Sequence, residues 1–71
     1  MADHMTAEEL KAARESLGLR QSDLDRMLDM ATGYTGKLER GDKPVRTLHA
    51  LAMQALLMGY RPPDWPTPPD P

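Results

Sequence analysis

The chain has 71 residues, which is enough for one small domain and too few for the barrel or doubly wound folds of many enzymes. It contains no cysteine, so disulfides, thiolate metal sites and cysteine nucleophiles are excluded. The formal net charge of -2, taken alone, argues against a nucleic-acid partner.

The apolar composition predicts helices. Leu, Ala and Met dominate, phenylalanine is absent, and Val45 is the single valine. Because strands favour β-branched and aromatic residues, we expect an all-α fold. The richest apolar run, residues 50–58, is too short to span a membrane, and the N-terminus is acidic where a secretory signal would be basic. We therefore expect a cytoplasmic protein.

The first half of the chain carries two helical segments. Thr6 and Glu9 match a capping box that predicts the start of a first helix, and Gly18 predicts its end. Apolar residues at helical spacing predict a second helix over residues 21–28. Only about three residues separate this second helix from the next predicted one.

Two more helices are predicted after this short connection. The third covers residues 32–40 and ends at Gly41, and the longer fourth follows Pro44 and ends at Gly59. The apolar stripe expected to face the core in this fourth segment comprises Val45, Leu48, Leu51, Ala52, Ala55 and Leu56. Two short, closely joined helices between two longer ones are typical of a helix-turn-helix.

The composition changes after Arg61. Six of the ten residues over 62–71 are prolines, which interrupt helices. The sequence therefore predicts a domain over residues 5–61 and an extended, Pro-rich tail over 62–71. Trp65 lies in this tail, and we expect it to fold back onto its own domain or onto a partner subunit.

Two stretches resemble a known family of DNA-binding proteins. Residues 19–28, Leu-Arg-Gln-Ser-Asp-Leu-Asp-Arg-Met-Leu, look like the second helix of the XRE (Cro/phage-repressor-like) family, where a Gln commonly opens the helix. Residues 34–41, Tyr-Thr-Gly-Lys-Leu-Glu-Arg-Gly, look like the end of its recognition helix. The resemblance covers residues 6–59 and implies a compact, lambda-repressor-like domain of four to five helices.

The resemblance also implies a set of DNA-binding residues. A recognition helix in the major groove contacts base edges with its N-terminal residues, and Lys37 can donate to guanine O6 and N7. The implied base-reading positions are Thr32, Gly33, Gly36 and Lys37, with Tyr34 close to the backbone or a thymine methyl. The positions implied at the phosphate backbone are Arg20, Gln21, Lys43 and Arg46, and Arg40 completes the DNA-binding set with a partly structural role.

The chain departs from the family pattern in four places. Gly33 and Gly36 lie inside the predicted recognition helix, where each costs about 1 kcal/mol relative to alanine and removes a side chain that usually reads bases. Asp29 stands where a Gly is common in the turn, and Thr35 where a buried Ile or Val is usual. We therefore expect a short recognition helix that relies on few side chains, helped by DNA shape.

Several charged residues have a structural interpretation. By the resemblance, Glu39 pairs with Arg14 or Arg26, and an exposed pair of this kind is worth less than about 1 kcal/mol. Asp25 and Asp29, four residues apart, are interpreted as an acidic face beside the turn instead of paired catalytic carboxylates.

The low net charge hides a local excess of positive charge. Residues 11–49 contain eight Lys or Arg and six Asp or Glu, and residues 37–46 contain four basic and two acidic ones. The positive charge thus lies beside the predicted recognition helix, where DNA is expected.

The favoured hypothesis is a sequence-specific DNA-binding transcriptional regulator. It would be a dimeric, autoregulatory repressor of phage or plasmid type, such as an anti-CRISPR-associated regulator, binding a palindromic operator on double-stranded DNA. The alternative is a protein-interaction module or antitoxin that keeps the fold with little or no DNA binding. The predicted dimer interface comprises Met53, Leu57, Tyr60 and Trp65. No catalytic residue, metal ligand, cofactor or small-molecule substrate is predicted.

Overall fold

The computed structural model describes residues 5–63, 65 and 66. Four helices follow in chain order: α1 (Ala7–Ser16), α2 (Gln21–Met27), α3 (Tyr34–Arg40) and α4 (Thr47–Leu57). No strand occurs in the described part of the chain, so the all-α prediction is confirmed there. None of these helices is long and apolar enough to cross a membrane.

The ends of α1 lie where the sequence places them. The Thr6 hydroxyl accepts a hydrogen bond from the Glu9 N–H at 3.0 Å, and the Thr6 N–H donates to the Glu9 carboxylate at 2.8 Å. This reciprocal pair confirms the capping box. The chain leaves α1 through Gly18, whose φ of 74° is a conformation that glycine adopts without steric cost.

The third helix begins two residues later than predicted. Gly33 has a φ of 87° and therefore precedes α3 instead of lying inside it, which leaves Gly36 as the glycine within the helix. The prediction that Gly33 destabilises the helix was wrong. Gly33 has a left-handed backbone conformation, which glycine adopts without steric cost. Asp29, in the connection between α2 and α3, has a φ of 57°, the left-handed conformation that a glycine would also supply.

The core-facing side of the fourth helix matches the predicted stripe only in part: Leu56 is buried and Val45 half-buried as predicted, but the two leucines between them are not. Leu48 and Leu51 are 75% and 53% exposed, whereas Ala50, Met53 and Leu56 are buried. Apolar residues occupy two opposite faces of α4, so helical spacing fits both stripes and only the packing distinguishes them. Met53 was predicted at a dimer interface, and this is wrong because its side chain is fully buried.

One hydrophobic core joins all four helices. Helix α1 packs against α3 and α4, and α2 packs against α3. Half-buried side chains, among them Tyr34 and Val45, pack around this core. The buried apolar side chains are Met5, Leu10, Ala13, Leu19, Leu24, Leu38, Ala50, Met53 and Leu56.

A buried ion pair ties α1 to α3. The Arg14 guanidinium donates to both Glu39 carboxylate oxygens at 2.6 and 3.1 Å, with side-chain exposures of 11% and 5%. Arg14 also donates to the Leu19 carbonyl at 2.8 Å, and the Gln21 amide donates to Glu39 at 2.9 Å. Burial raises the pKa of Glu39, but the hydrogen bonds from Arg14 and Gln21 outweigh it and the pKa is lowered. Of the two expected partners Arg14 forms the pair, and the pair is buried, not exposed.

The start of the Pro-rich segment folds onto the domain. Trp65 is half-buried against the core, and the Arg61 guanidinium lies 4.0 Å from the centre of its ring. Arg61 also donates to the Leu56 and Tyr60 carbonyls at 2.9 and 2.8 Å, which satisfies the C-terminal end of α4. The domain therefore extends past the predicted boundary at residue 61, and Trp65 takes the first of its two expected positions. Residues 64 and 67–71 of the predicted tail lie outside the described residues.

Replacing Glu39→Ala is expected to destabilise the fold by about 3 kcal/mol or more, because Arg14 would remain buried without its carboxylate. Urea unfolding at pH 7 measures this change. Asp42→Ala is the matched control, since it breaks the exposed Arg40–Asp42 pair and should cost less than about 0.5 kcal/mol. An equal decrease in the free energy of unfolding for the two variants would contradict the proposed stabilising role of the buried Arg14–Glu39 pair.

Candidate nucleic-acid interface

A buried carboxylate of α2 holds the start of α3. The Asp25 carboxylate accepts hydrogen bonds from the Gly33 N–H at 2.8 Å, the Thr35 N–H at 2.8 Å and the Thr35 hydroxyl at 2.6 Å. Burial raises the pKa of Asp25, but the hydrogen bonds from Thr35 and Gly33 outweigh it, so the pKa is lowered from 3.8. These bonds satisfy N–H groups that have no partner inside α3.

This contact corrects the prediction for Asp25. Its side chain is buried and is not part of a solvent-facing acidic surface, whereas Asp29 is exposed as expected. The same contact explains why a threonine occupies the buried position 35. A buried hydroxyl needs a hydrogen-bond acceptor, and the Asp25 carboxylate supplies one. Asp25 and Thr35 are ten residues apart in the sequence. Each is a polar residue at a position that faces the core, and this shared property was the sequence signal for a hydrogen bond between them.

Glycine at position 36 lets two long side chains meet over α3. A Cβ atom built on Gly36 would lie 3.2 Å from the Arg40 guanidinium and 3.4 Å from the Gln21 amide oxygen. Gly36 is therefore buried beneath Gln21 and Arg40, and its predicted role at a base edge was wrong. Gln21, at the first position of α2, is exposed and donates to Glu39, so its amide is oriented by the buried ion pair.

Five basic residues of the predicted DNA-binding set are exposed, and two of them are already paired. Arg20 binds Asp23 at 3.1 Å and Arg40 binds Asp42 at 3.1 Å. The hydrogen bonds from Arg20 are the main reason why the pKa of Asp23 is lowered to about 2. The complete exposed set is Arg20, Lys37, Arg40, Lys43 and Arg46.

The two lysines of this set are available to an external anion. Within the described part of the chain, neither Lys37 nor Lys43 forms an ion pair. They are close in space, because the Lys43 N–H donates to the Lys37 carbonyl at 3.3 Å. The end of α3 and the loop after it therefore present adjacent positive charges to solvent.

The residues just before α3 lie beside the start of α4. Thr32 is exposed in the turn, and the half-buried Tyr34 ring lies 6.0 Å from the His49 ring. His49 Nδ1 accepts the Arg46 N–H at 3.0 Å, and burial, followed by the charge of Arg46, lowers the pKa of His49. His49 thus caps the start of α4 through Nδ1.

The structure brings most of the predicted DNA-binding residues to the surface around α3. Tyr34 is half-buried and Gly36 is buried. The described residues contain no cluster of side chains that could hold a metal ion. The exposed members of the predicted set are Arg20, Gln21, Thr32, Gly33, Lys37, Arg40, Lys43 and Arg46.

The chain matches no family model, no curated protein and no solved structure. Its resemblance to the XRE family rests on the motifs in residues 19–28 and 34–41. The hydrogen bonds and exposed side chains of α2 and α3 give information on its function that does not depend on those motifs.

Removing the Thr35 hydroxyl by Thr35→Val should destabilise the fold by about 1.5 to 3 kcal/mol, because Asp25 would lose its shortest hydrogen bond while staying buried. Thermal or urea unfolding measures the loss. Thr47→Val is the control, since Thr47 is an exposed threonine at the start of α4 and the same change there should be nearly neutral. A neutral Thr35→Val would show that the hydroxyl does not support Asp25.

Proposed function

We propose that the protein is a sequence-specific DNA-binding transcriptional regulator in which α2 and α3 form a helix-turn-helix. One observation carries this proposal. Helix α3 is held by buried charged groups near both ends, through Asp25 at its start and Glu39 near its end, while Lys37 faces solvent. A short helix fixed in this way presents its exposed side chains in a defined geometry, as sequence readout requires.

The proposed contacts divide into base reading and backbone positioning. Lys37 donates to guanine O6 and N7 in the major groove, and Thr32 reaches a base or a phosphate from the turn before α3. Arg20, Lys43 and Arg46 bind phosphates. Arg40 and Gln21, whose side chains cover Gly36, contact the DNA backbone.

A dimer follows from the size of the module. One short recognition helix with few base-reading side chains covers too few base pairs for specificity, whereas two copies read a palindrome with half-sites about 10 base pairs apart. The mode of action that we propose is repression by covering a promoter. We place the protein among small autoregulators of phage or plasmid type, which include anti-CRISPR-associated regulators.

The second candidate is a protein-interaction module or antitoxin that keeps this fold without binding DNA. The specific observation in its favour is that Asp23 and Asp42 already neutralise Arg20 and Arg40 on the exposed surface. A net charge of -2 also weakens attraction to a polyanion. The two candidates differ most clearly in how salt affects DNA binding.

Affinity for duplex DNA should fall steeply as salt rises, since each phosphate contact releases condensed counterions with a log–log slope of about -0.9 per phosphate. Fluorescence anisotropy with duplexes selected from a random pool, at several salt concentrations, measures this slope. Phosphate contacts from Arg20, Lys43 and Arg46 on each of two subunits predict a slope of about -5. A flat response, or no binding to any duplex, would reject DNA binding and favour the second candidate.

Two lysine variants separate base reading from backbone contact. Lys37→Ala should reduce the ratio of operator to random-DNA affinity about tenfold or more, because a lysine–guanine contact discriminates between bases. Lys43→Ala should weaken both affinities by a similar factor, because a phosphate contact carries no sequence information. Both lysines are exposed and form no ion pair among the described residues, so the variants are matched in stability. Normal operator selectivity in Lys37→Ala would disprove the proposed base-reading role of Lys37.

A further inference from the structure

Arg46 carries an exposed side chain on a backbone that is held on both sides. Its N–H donates to His49 Nδ1 at 3.0 Å, and its carbonyl accepts the N–H of the fully buried Ala50 at 3.1 Å. The preceding residue, Val45, packs against the core. The Arg46 side chain therefore projects into solvent from a defined point at the start of α4.

His49 supplies one of the two hydrogen bonds that hold this backbone. It is the third residue of α4, and it accepts the N–H of the residue that precedes the helix. A side chain in this position completes half of a capping box, a role usually taken by Glu or Gln. Because the first N–H groups of a helix have no partner inside the helix, loss of such an acceptor loosens the first turn.

The same imidazole ring reaches the start of α3. The ring centre of Tyr34, the first residue of α3, lies 6.0 Å from that of His49, and the two planes are tilted by 45°, within the range of an aromatic pair. Both residues are half-buried, and with Met30, Ala31 and Arg46 they line an open hollow of about 330 Å³. One side chain thus contacts both the beginning of α3 and the backbone of Arg46.

We propose that His49 is a positioning residue of the DNA interface. Through Nδ1 it fixes the place of Arg46 relative to α3, so that Arg46 meets a phosphate when α3 lies in the major groove. This inference rests on the proposed function, in which Arg46 binds a phosphate, and adds a residue that acts without touching DNA. A cation mounted on a fixed backbone loses less conformational freedom on binding than one on a frayed helix end, so the contact is stronger when the cap is present.

Two variants separate the acceptor from the ring. His49→Phe keeps an aromatic ring beside Tyr34 but has no acceptor, whereas His49→Gln keeps an acceptor that suits this helix position but lacks the ring. His49→Phe should weaken binding to the selected operator about fivefold or more. It should also make the log–log salt slope less steep by about 2, since one phosphate contact is lost on each of two subunits. His49→Gln should stay within about twofold of the parent chain and keep its slope.

Fluorescence anisotropy at several salt concentrations measures both quantities, and circular dichroism with urea unfolding confirms that each variant is folded under the binding conditions. Binding by His49→Gln as weak as that by His49→Phe would overturn the inference, because the acceptor would then not be the cause. Unchanged binding by His49→Phe would overturn it as well.

A double-mutant cycle tests whether His49 acts through Arg46. In an Arg46→Ala background, His49→Phe should change operator affinity by less than about twofold, because the contact that it weakens is already gone. Lys43→Ala is the matched background, since it removes another exposed cation of the proposed backbone set, and there the full loss should persist. Equal losses of affinity in the two backgrounds would overturn the inference and would show that His49 touches DNA itself or acts on the whole fold.

Hydrogen exchange in the DNA-free protein tests the cap separately from DNA binding. The Arg46 amide should exchange several-fold faster in His49→Phe than in the parent chain, while the amide of the buried Leu24 in α2 should keep its rate. Equal Arg46 rates in a protein that binds DNA would reject the positioning role alone. A protected Arg46 amide in a protein that binds no duplex would reject the proposed function and the positioning role with it.

Discussion

The buried carboxylate of Glu39 is the constraint on which the arrangement of the first three helices depends. It belongs to α3, accepts two hydrogen bonds from Arg14 of α1 and a third from Gln21 of α2. A buried charge that loses its partners is costly, so these helices cannot shift relative to one another without exposing it or leaving it unpaired. Such a contact contributes less through net stability than through the single geometry it allows. The exposed side chains of α3 are therefore held in a fixed position relative to α1 and α2.

A second carboxylate constrains the other end of the same helix. The Asp25 carboxylate accepts hydrogen bonds from the N–H groups of Gly33 and Thr35 and from the Thr35 hydroxyl at the start of α3. An apolar contact tolerates small rotations, whereas three short hydrogen bonds to one carboxylate fix direction as well as distance. The short α3 is thus positioned by directional bonds at both ends, which compensates for its length and for the glycine within it.

The helices were predictable from the sequence where the signal is local. The Thr6–Glu9 capping box and Gly18 placed α1 correctly, and the motif around residues 34–41 correctly suggested that Glu39 pairs with a basic residue. The side of α4 that faces the core was not predictable, because leucine and methionine occupy both faces and no charge marks the outer one. The role of Asp25 was missed for a similar reason, since its partner Thr35 lies ten residues away and nothing local shows that both are buried. At the site itself, only the packing revealed that Gly36 is covered by Gln21 and Arg40.

The docking of Trp65 joins regions that are far apart along the chain. Leu19, Arg61 and Trp65 line one cleft of about 570 Å³ between the α1–α2 turn and the end of the fold. This contact closes a loop of about 46 residues, and the entropic cost of closing such a loop grows only slowly with its length. The loop contains α2, α3 and α4, so the three elements lie between two ends that are held together. Release of Trp65 would therefore expose surface beside the α1–α2 turn as well as free the segment that follows α4.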